Sequence, residues 1–273
     1  MDLADLGSRG LVLLGCGKMG SALLEGWLAR GLAPGAVWVI DPHPSDWLTG
    51  LAARGLRLNQ PLPEAPAVVL VAVKPQMMAE ALPSLTALGT GATLFLTVAA
   101  GTPIAFYERV LGPVTPVVRA MPNTPAAVGR GITAIVGNAT ATADHLALAE
   151  ELLSAVGQVV RLEAEHQIDA VTGVSGSGPA YVFHLIEALA AAGEAEGLSP
   201  ALAMQLARAT VTGAGELAFR APESAEQLRI NVTSPGGTTA AALAVLMDAE
   251  TGFPPLLRRA VKAAADRGRE LGK

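Results

Sequence analysis

Cysteine is almost missing: Cys16 stands alone in the chain. One thiol excludes an intrachain disulfide and any cysteine-rich metal site, so no metal is expected, and it fits a reducing, cytoplasmic setting. Aromatic residues are scarce as well, at 4%, although 51% of the 273 residues are hydrophobic. The bulk of the core must then be alanine, leucine and valine, which suits α/β layers and closely packed helices. A basic excess is absent: 19 Lys and Arg stand against 24 Asp and Glu, a net charge of −5, and no run of Lys and Arg occurs. A general nucleic-acid binder would show a basic face. No stretch of about 18 or more residues is free of polar interruption, so no membrane span is expected. Residues 1–10 carry two acids and no basic leader region, unlike a secretory signal. The length suffices for one large or two ordinary domains.

What the chain does have is glycine at telling places. Residues 10–14 form a short apolar run, readable as a buried parallel strand. It ends in Gly15-Cys16-Gly17-Lys18-Met19-Gly20, a helical pattern runs on to Ala29, and a second strand over residues 36–40 ends in Asp41. That acid lies 21 residues after Gly20, close to the spacing of the dinucleotide-binding fingerprint. In this arrangement Gly15 allows the tight turn, Gly17 admits a diphosphate to the backbone, and Gly20 lets the helix pack on the strand. Cys16, Lys18 and Met19 line the turn. Lys18 reads equally well as a phosphate contact or as a solvated side chain, and Cys16 has no evident base to make it a nucleophile. The Asp41 carboxylate can accept from both ribose hydroxyls of NAD and would repel the 2′-phosphate of NADP. The next cation is Arg54, although His43 could become cationic. This site alone leans towards NADH.

Further strands are expected at residues 67–73, 93–98, 114–120, 132–136 and 158–162, with a helix over 144–156. The first ends in Lys74-Pro75, where proline holds Lys74 extended. The second ends in Ala99-Ala100-Gly101, small enough for a nicotinamide to lie against the backbone or simply for close packing. The third runs into Met121-Pro122-Asn123-Thr124-Pro125, which presents Asn123 either to a ligand or as part of an ordinary turn. From about residue 163 only helical stretches remain. One covers 165–172, Ser175-Gly176-Ser177-Gly178-Pro179 breaks the chain, and an apolar helix follows over 179–193, read as buried in a core or in a subunit interface. Its His184 reads as a hydrogen-bonded core residue; no role is assigned to His145 or His166. Ser199-Pro200 opens another helix, Pro222 a shorter one ending near Asn231, and a last helix covers 255–271. The expected architecture is an α/β Rossmann-type dinucleotide-binding domain over 1–163 and an all-α domain over 164–273.

Within the second part, Asn231-Val232-Thr233-Ser234-Pro235-Gly236-Gly237-Thr238-Thr239 runs into an apolar helix over 240–247. A helix opening on such a loop offers free N–H groups and its positive dipole end to a carboxylate or phosphate. The two glycines admit a ligand to the backbone, and Thr238 and Thr239 add hydroxyls. Alone, this would read as a plain helix start. With a nucleotide fingerprint in the same chain, it points to a cofactor and a small anionic substrate.

Taken together, these motifs resemble pyrroline-5-carboxylate reductase, the enzyme of the last step of proline synthesis. The resemblance covers nearly the whole chain. It rests on Gly15 to Gly20, Val73-Lys74-Pro75, Ala99-Ala100-Gly101, Met121-Pro122-Asn123-Thr124-Pro125 and Ser175-Gly176-Ser177-Gly178-Pro179-Ala180-Tyr181. Most specific is the stretch from Val232 to Thr239 followed by Ala242-Leu243. The resemblance implies that 1-pyrroline-5-carboxylate is reduced by NADPH or NADH, with the C-terminal helices forming a homodimer and, in a larger assembly, a ring of dimers. It implies that Ser234, Gly236, Gly237, Thr238 and Thr239 hold the substrate carboxylate, and that the Thr239 hydroxyl lies near the ring nitrogen. Glu165 is implied close to the substrate. Val73, Lys74, Pro75, Ala99, Ala100, Asn123 and Asn231 are implied at the cofactor. Asp41 departs from the small polar or basic residues usual in members that prefer NADPH.

Protonation of the substrate C=N nitrogen makes its carbon a better hydride acceptor, so the enzyme mainly has to hold the reacting carbons together and exclude water. Three other readings compete. A dehydrogenase of the β-hydroxyacid type needs a lysine acid/base from the second domain, and past residue 163 only Lys262 and Lys273 occur. A nucleotide sensor would not need the intact substrate turn, and a structural helical dimer would not need the complete glycine fingerprint.

Overall fold

The computed structural model describes residues 6–272. The chain forms two compact units. One comprises the chain up to Gly176 together with the segment from Ala264 onward; the other is Ser177–Ala263.

Among the described residues the first unit is built on eight strands. Helix α1 (Leu6–Arg9) precedes β1 (Leu11–Leu14), α2 (Lys18–Ala29), β2 (Val37–Ile40), α3 (Asp46–Ala52), β3 (Arg57–Leu58) and β4 (Val68–Val71). Then follow α4 (Met78–Ala81), β5 (Leu94–Thr97), α5 (Ile104–Leu111), β6 (Val117–Met121), β7 (Gly131–Gly137), α6 (Ala143–Leu153), β8 (Gly157–Arg161) and α7 (Gln167–Val171). The sheet order is β3-β2-β1-β4-β5-β6-β7-β8. The first six strands are parallel, β7 is antiparallel to β6, and β8 is parallel to β7. Parallel neighbours need a crossover of a dozen or more residues. The short link from Met121 to Gly131 provides too little chain, and β7 returns antiparallel.

Successive side chains of a strand face opposite ways, and here both faces are covered. Leu11, Leu13 and Leu70 pack with Leu24 and Trp27 of α2 and Leu152 of α6. Val12, Leu14 and Val71 pack on the other face with Met78 of α4, Tyr107 of α5 and Ile168 of α7. This explains why the strands read as unbroken apolar runs and not as alternations. Trp27 Nε1 donates to the Leu152 carbonyl at 2.8 Å, which joins α2 to α6.

The second unit contains α8 (Gly178–Ala195), α9 (Pro200–Arg220), α10 (Ala225–Asn231), α11 (Thr238–Leu246) and the first part of α12 (Phe253–Leu271). Ser199 and Ser224 cap α9 and α10, accepting from Leu202 N–H and Gln227 N–H. Helices α8 and α9 meet through small residues: Ala190, Ala203 and Ala207 are buried together. A Cβ on Gly193 would stand 3.4 Å from that of Ala203. Among the described residues no helix is long and apolar enough to cross a membrane.

Several sequence expectations change. The strand expected at 114–120 begins only at Val117, after a turn in which Thr115 N–H donates to the Gly112 carbonyl. The Ser175 to Pro179 stretch is no loop: residues Thr172–Gly176 form a π-type turn, Ser177 keeps helical dihedrals, and α8 starts at Gly178. Helix α10 starts at Ala225 behind its Ser224 cap, not at Pro222. Within one chain His184 is not in a core. Its side chain is 81% exposed and pairs with Glu187 one turn on, at 3.0 Å. The compact units divide after Gly176, whereas strands give way to helices after Arg161. Asp2, Asp5 and Lys273, which entered the sequence reading, lie outside the described residues.

Candidate functional site

The glycine turn between β1 and α2 shows what each glycine does. Gly15 sits at φ +87°, and a Cβ there would press on Val73 Cγ1 at 2.9 Å. A Cβ on Gly20 would lie 2.4 Å from the Gly15 carbonyl oxygen. These two glycines are demanded by the protein's own packing. Gly17 is different: no protein atom lies within 4 Å of where its Cβ would be. Helix α2 opens directly behind it with no side-chain cap. The first-turn N–H groups and the dipole could thus serve an external anion such as a diphosphate.

Asp41 ends β2 beside this turn. Its Oδ2 accepts from Cys16 N–H at 2.8 Å and its Oδ1 from His43 N–H at 2.9 Å. Asn59, at φ +50°, grips the Asp41 backbone from both sides: its Oδ1 accepts from Asp41 N–H and its Nδ2 donates to the Asp41 carbonyl. The carboxylate is therefore oriented by backbone donors and held in place by a side chain that the sequence reading did not single out. Its only local trace was an asparagine after the edge strand, a residue type that tolerates positive φ. Burial, with Asp41 adding to it, pushes the Cys16 thiol up to about 12. Cys16 is a small packing residue in the turn. Lys18 and Lys74 are exposed, Met19 and Val73 half-buried, and Pro75 opens a single 3₁₀ turn.

Farther along the sheet, at the carboxyl ends of β5 and β6, the structure gathers a polar group around Glu165. The Glu165 Oε1 accepts from Arg119 Nη1 at 2.6 Å and from Ile104 N–H at 2.8 Å. Arg119 was missed by sequence reasoning because it sits inside an otherwise apolar strand. Ala99 is buried and Ala100 exposed. The Asn123 amide is engaged at both ends: Oδ1 accepts from Ile132 N–H at 3.0 Å, and Nδ2 donates to the Ser175 carbonyl at 3.2 Å. It braces the loop between β6 and β7 against the Ser175-Gly176 segment.

In the second unit, Gly236 takes φ +69° and Gly237 N–H donates to the Ser234 carbonyl at 3.0 Å, closing a tight turn. Helix α11 starts at Thr238 with neither a side-chain cap nor an acid in its first turn. Ser234, Gly236 and Thr238 are exposed, and Gly237 and Thr239 half-exposed. A carboxylate would satisfy the orphan N–H groups here. Asn231 is exposed at the end of α10, its Oδ1 accepting from Gln227 Nε2 at 2.8 Å.

Family profiles and known proteins similar to this chain bear on its family. Residues 165–271 match the family profile described as pyrroline-5-carboxylate reductase dimerisation, and residues 11–101 match the one described as NADP oxidoreductase, coenzyme F420-dependent. A pyrroline-5-carboxylate reductase of Synechocystis sp. is 43% identical, over 96% of this chain and 98% of that protein. The structure of a pyrroline-5-carboxylate reductase from Coxiella burnetii is similar at a TM-score of 0.89 and 35% identity, covering 97% of this chain and 99% of that one. A Plasmodium falciparum pyrroline carboxylate reductase, crystallised with NADP bound, is similar at a TM-score of 0.81 and 27% identity, covering 98% and 99%.

Proposed function

The chain belongs to the pyrroline-5-carboxylate reductase family, and we propose that it reduces 1-pyrroline-5-carboxylate to L-proline, with residues 1–163 serving the cofactor and 164–273 the substrate and self-association. The observation that carries this reading is the pairing of two anion-ready helix starts in one chain: α2 behind Gly17 and α11 behind Gly237, both without a side-chain cap.

The residues fit a nicotinamide dinucleotide. Gly15, Cys16, Gly17, Lys18, Met19 and Gly20 would cradle its diphosphate, and Asp41 its adenosine ribose. Val73, Lys74, Pro75, Ala99, Ala100, Asn123 and Asn231 would serve the rest of it. Bound there, the reduced cofactor supplies the hydride. The chain's own work is placement. Ser234, Gly236, Gly237, Thr238 and Thr239 hold the substrate carboxylate by backbone N–H groups and hydroxyls, and Glu165 borders the substrate. The Thr239 hydroxyl orients the ring nitrogen, which arrives protonated or takes its proton from water. Holding the reacting groups at fixed separation supplies the rate. A carboxylate oriented by Cys16 N–H and His43 N–H keeps negative charge beside the ribose site, so NADH is preferred to NADPH. The active assembly is a homodimer through the C-terminal helices, with a ring of such dimers as its larger form, and the single cysteine suits a cytoplasmic enzyme.

The decisive assay follows oxidation of NADH and of NADPH, in parallel, with 1-pyrroline-5-carboxylate. Turnover with a faster NADH rate is expected. Folded protein that binds nucleotide but turns over with neither cofactor would sink the reading. Thr239→Ala should lower turnover by less than about a hundredfold, below the range usual for loss of a general acid, with the fold intact; unchanged turnover would remove Thr239 from the mechanism.

A further inference from the structure

Around the start of α5, next in sequence to the Ala99-Ala100-Gly101 turn, lies a polar cluster of which the reaction, as set out above, uses only Glu165. Thr97 and Tyr107 are fully buried, and their hydroxyl oxygens lie 2.5 Å apart. Burial pushes the Tyr107 phenol up to about 12, so it remains a neutral hydroxyl. Arg119, in register with Thr97 across β5 and β6, is 7% exposed. Its guanidinium meets the Glu165 carboxylate, and the same oxygen takes the N–H of Ile104.

Ile104 is the first residue of α5. The residue before it, Pro103, provides no side-chain cap. Glu165 therefore caps α5 from 61 residues away, placing an anion at the positive end of the helix. Three residues on, Tyr107 ties the same helix back to the end of β5. On its other flank, Gly101 stands at φ +71°, and Leu271 Cβ lies 3.3 Å from where a Gly101 Cβ would be. The turn at 99–101 thus leads into a helix start that is fixed at Ile104 and at Tyr107. An ion pair with Arg119 buried and the Glu165 side chain 32% exposed adds little net stability. What it does provide here is one fixed placement for α5 and for the turn that leads into it.

We propose that Arg119 and Glu165 are positioning residues that set the Ala99-Ala100-Gly101 turn against the nicotinamide end of the cofactor. This rests on the assignment of Ala99 and Ala100 to the cofactor under the proposed function. It also gives Glu165 a task that needs no direct contact with substrate.

The test compares two probes by equilibrium titration of the full chain: NADH, and ADP-ribose, which lacks the nicotinamide. Glu165→Gln keeps an acceptor for Ile104 but loses the charge pairing. It should weaken NADH about tenfold relative to ADP-ribose, with ADP-ribose itself within about twofold of the native value. Arg119→Lys, which keeps the charge, should restore part of that selectivity when compared with Arg119→Ala. Equal loss for both probes would mean general loosening of the domain, and no loss for either would mean that the pair leaves the turn unaffected; each result overturns the proposal. Failure of Glu165→Gln and of Arg119→Lys to fold would make the pair a folding element and overturn it too. Because binding is read without turnover, an inactive native chain would refute the proposed reaction while leaving this comparison valid.

Discussion

In the first unit Trp27, Leu70 and Phe95 are fully buried, whereas in the unit Ser177–Ala263 Phe183, Leu217 and Val245 stand 60%, 54% and 70% exposed. The contrast is not one of composition, since both units are rich in alanine, leucine and valine. It is one of geometry. A sheet covered by helices on both faces has an inside. A layer of helices has only the seam between neighbours, and here alanines fill it. Helix α11 makes the point most clearly: it is apolar around its whole circumference yet has no buried residue. Such a helix belongs in a core. The family profile over residues 165–271 is a dimerisation profile, and self-association is the expected cover for this face. The first unit closes its core within one chain; for the second, a core shared between chains is the expectation to test.

The strongest way to break that contrast is to charge the exposed face. Leu217→Glu and Val245→Glu should abolish self-association and turnover, with the sedimenting mass falling to that of one chain. Native mass and native turnover in both would remove the shared core. In the first unit the corresponding blow is Leu70→Ala, which should cost about 2–5 kcal/mol by cavity formation. Its melting should drop while the assembly, read by the same sedimentation, stays native; a fall in mass instead would show that the two cores are coupled.

Within the glycine turn the contrast sharpens to single residues. Gly20→Ala drives a methyl into the Gly15 carbonyl, so stability should drop by about 1–3 kcal/mol. Gly17→Ala meets no protein atom. The melting temperature should stay near native while nucleotide affinity falls at least about tenfold. Equal effects of the two on melting would end the distinction between a packing glycine and a ligand glycine.

The smallest effect concerns Cys16. A thiol raised from about 9 to about 12 binds its proton more tightly in the folded chain. Its contribution to stability is therefore full below pH 9 and is lost as pH rises towards 12. At pH 9, iodoacetamide should label the native protein slowly and the urea-unfolded protein at an ordinary thiol rate. Fast native labelling would contradict the burial of Cys16.

Much of this was legible along the chain because it is local. The strand, glycine turn, helix, strand and acid from Leu11 to Asp41 follow from short-range rules, and so do the Ser199-Pro200 helix start and the turn ahead of α11. What stayed hidden depends on partners far away in sequence. Glu165 could be assigned near the substrate by resemblance, but its bonds to Arg119 and to Ile104 N–H come from elements 46 and 61 residues away. Asn123 read as a ligand contact or as a plain turn; its amide joins β7 to the Ser175 carbonyl. His184 was expected inside because its helix is apolar, yet it is exposed because that helix has no inside within one chain.

Backbone chemistry, then, was the sequence's own to decide: where glycine permits a positive φ, where serine or proline starts a helix, and where unbroken apolar runs make parallel strands. Those choices depend on neighbours a few residues apart. Tertiary structure alone determined which glycine packs and which one faces open space, which oxygen caps α5, and which apolar surface is left uncovered within one chain. Each of those depends on the distance between groups that the chain separates by tens of residues, and such distances exist only once the layers have closed.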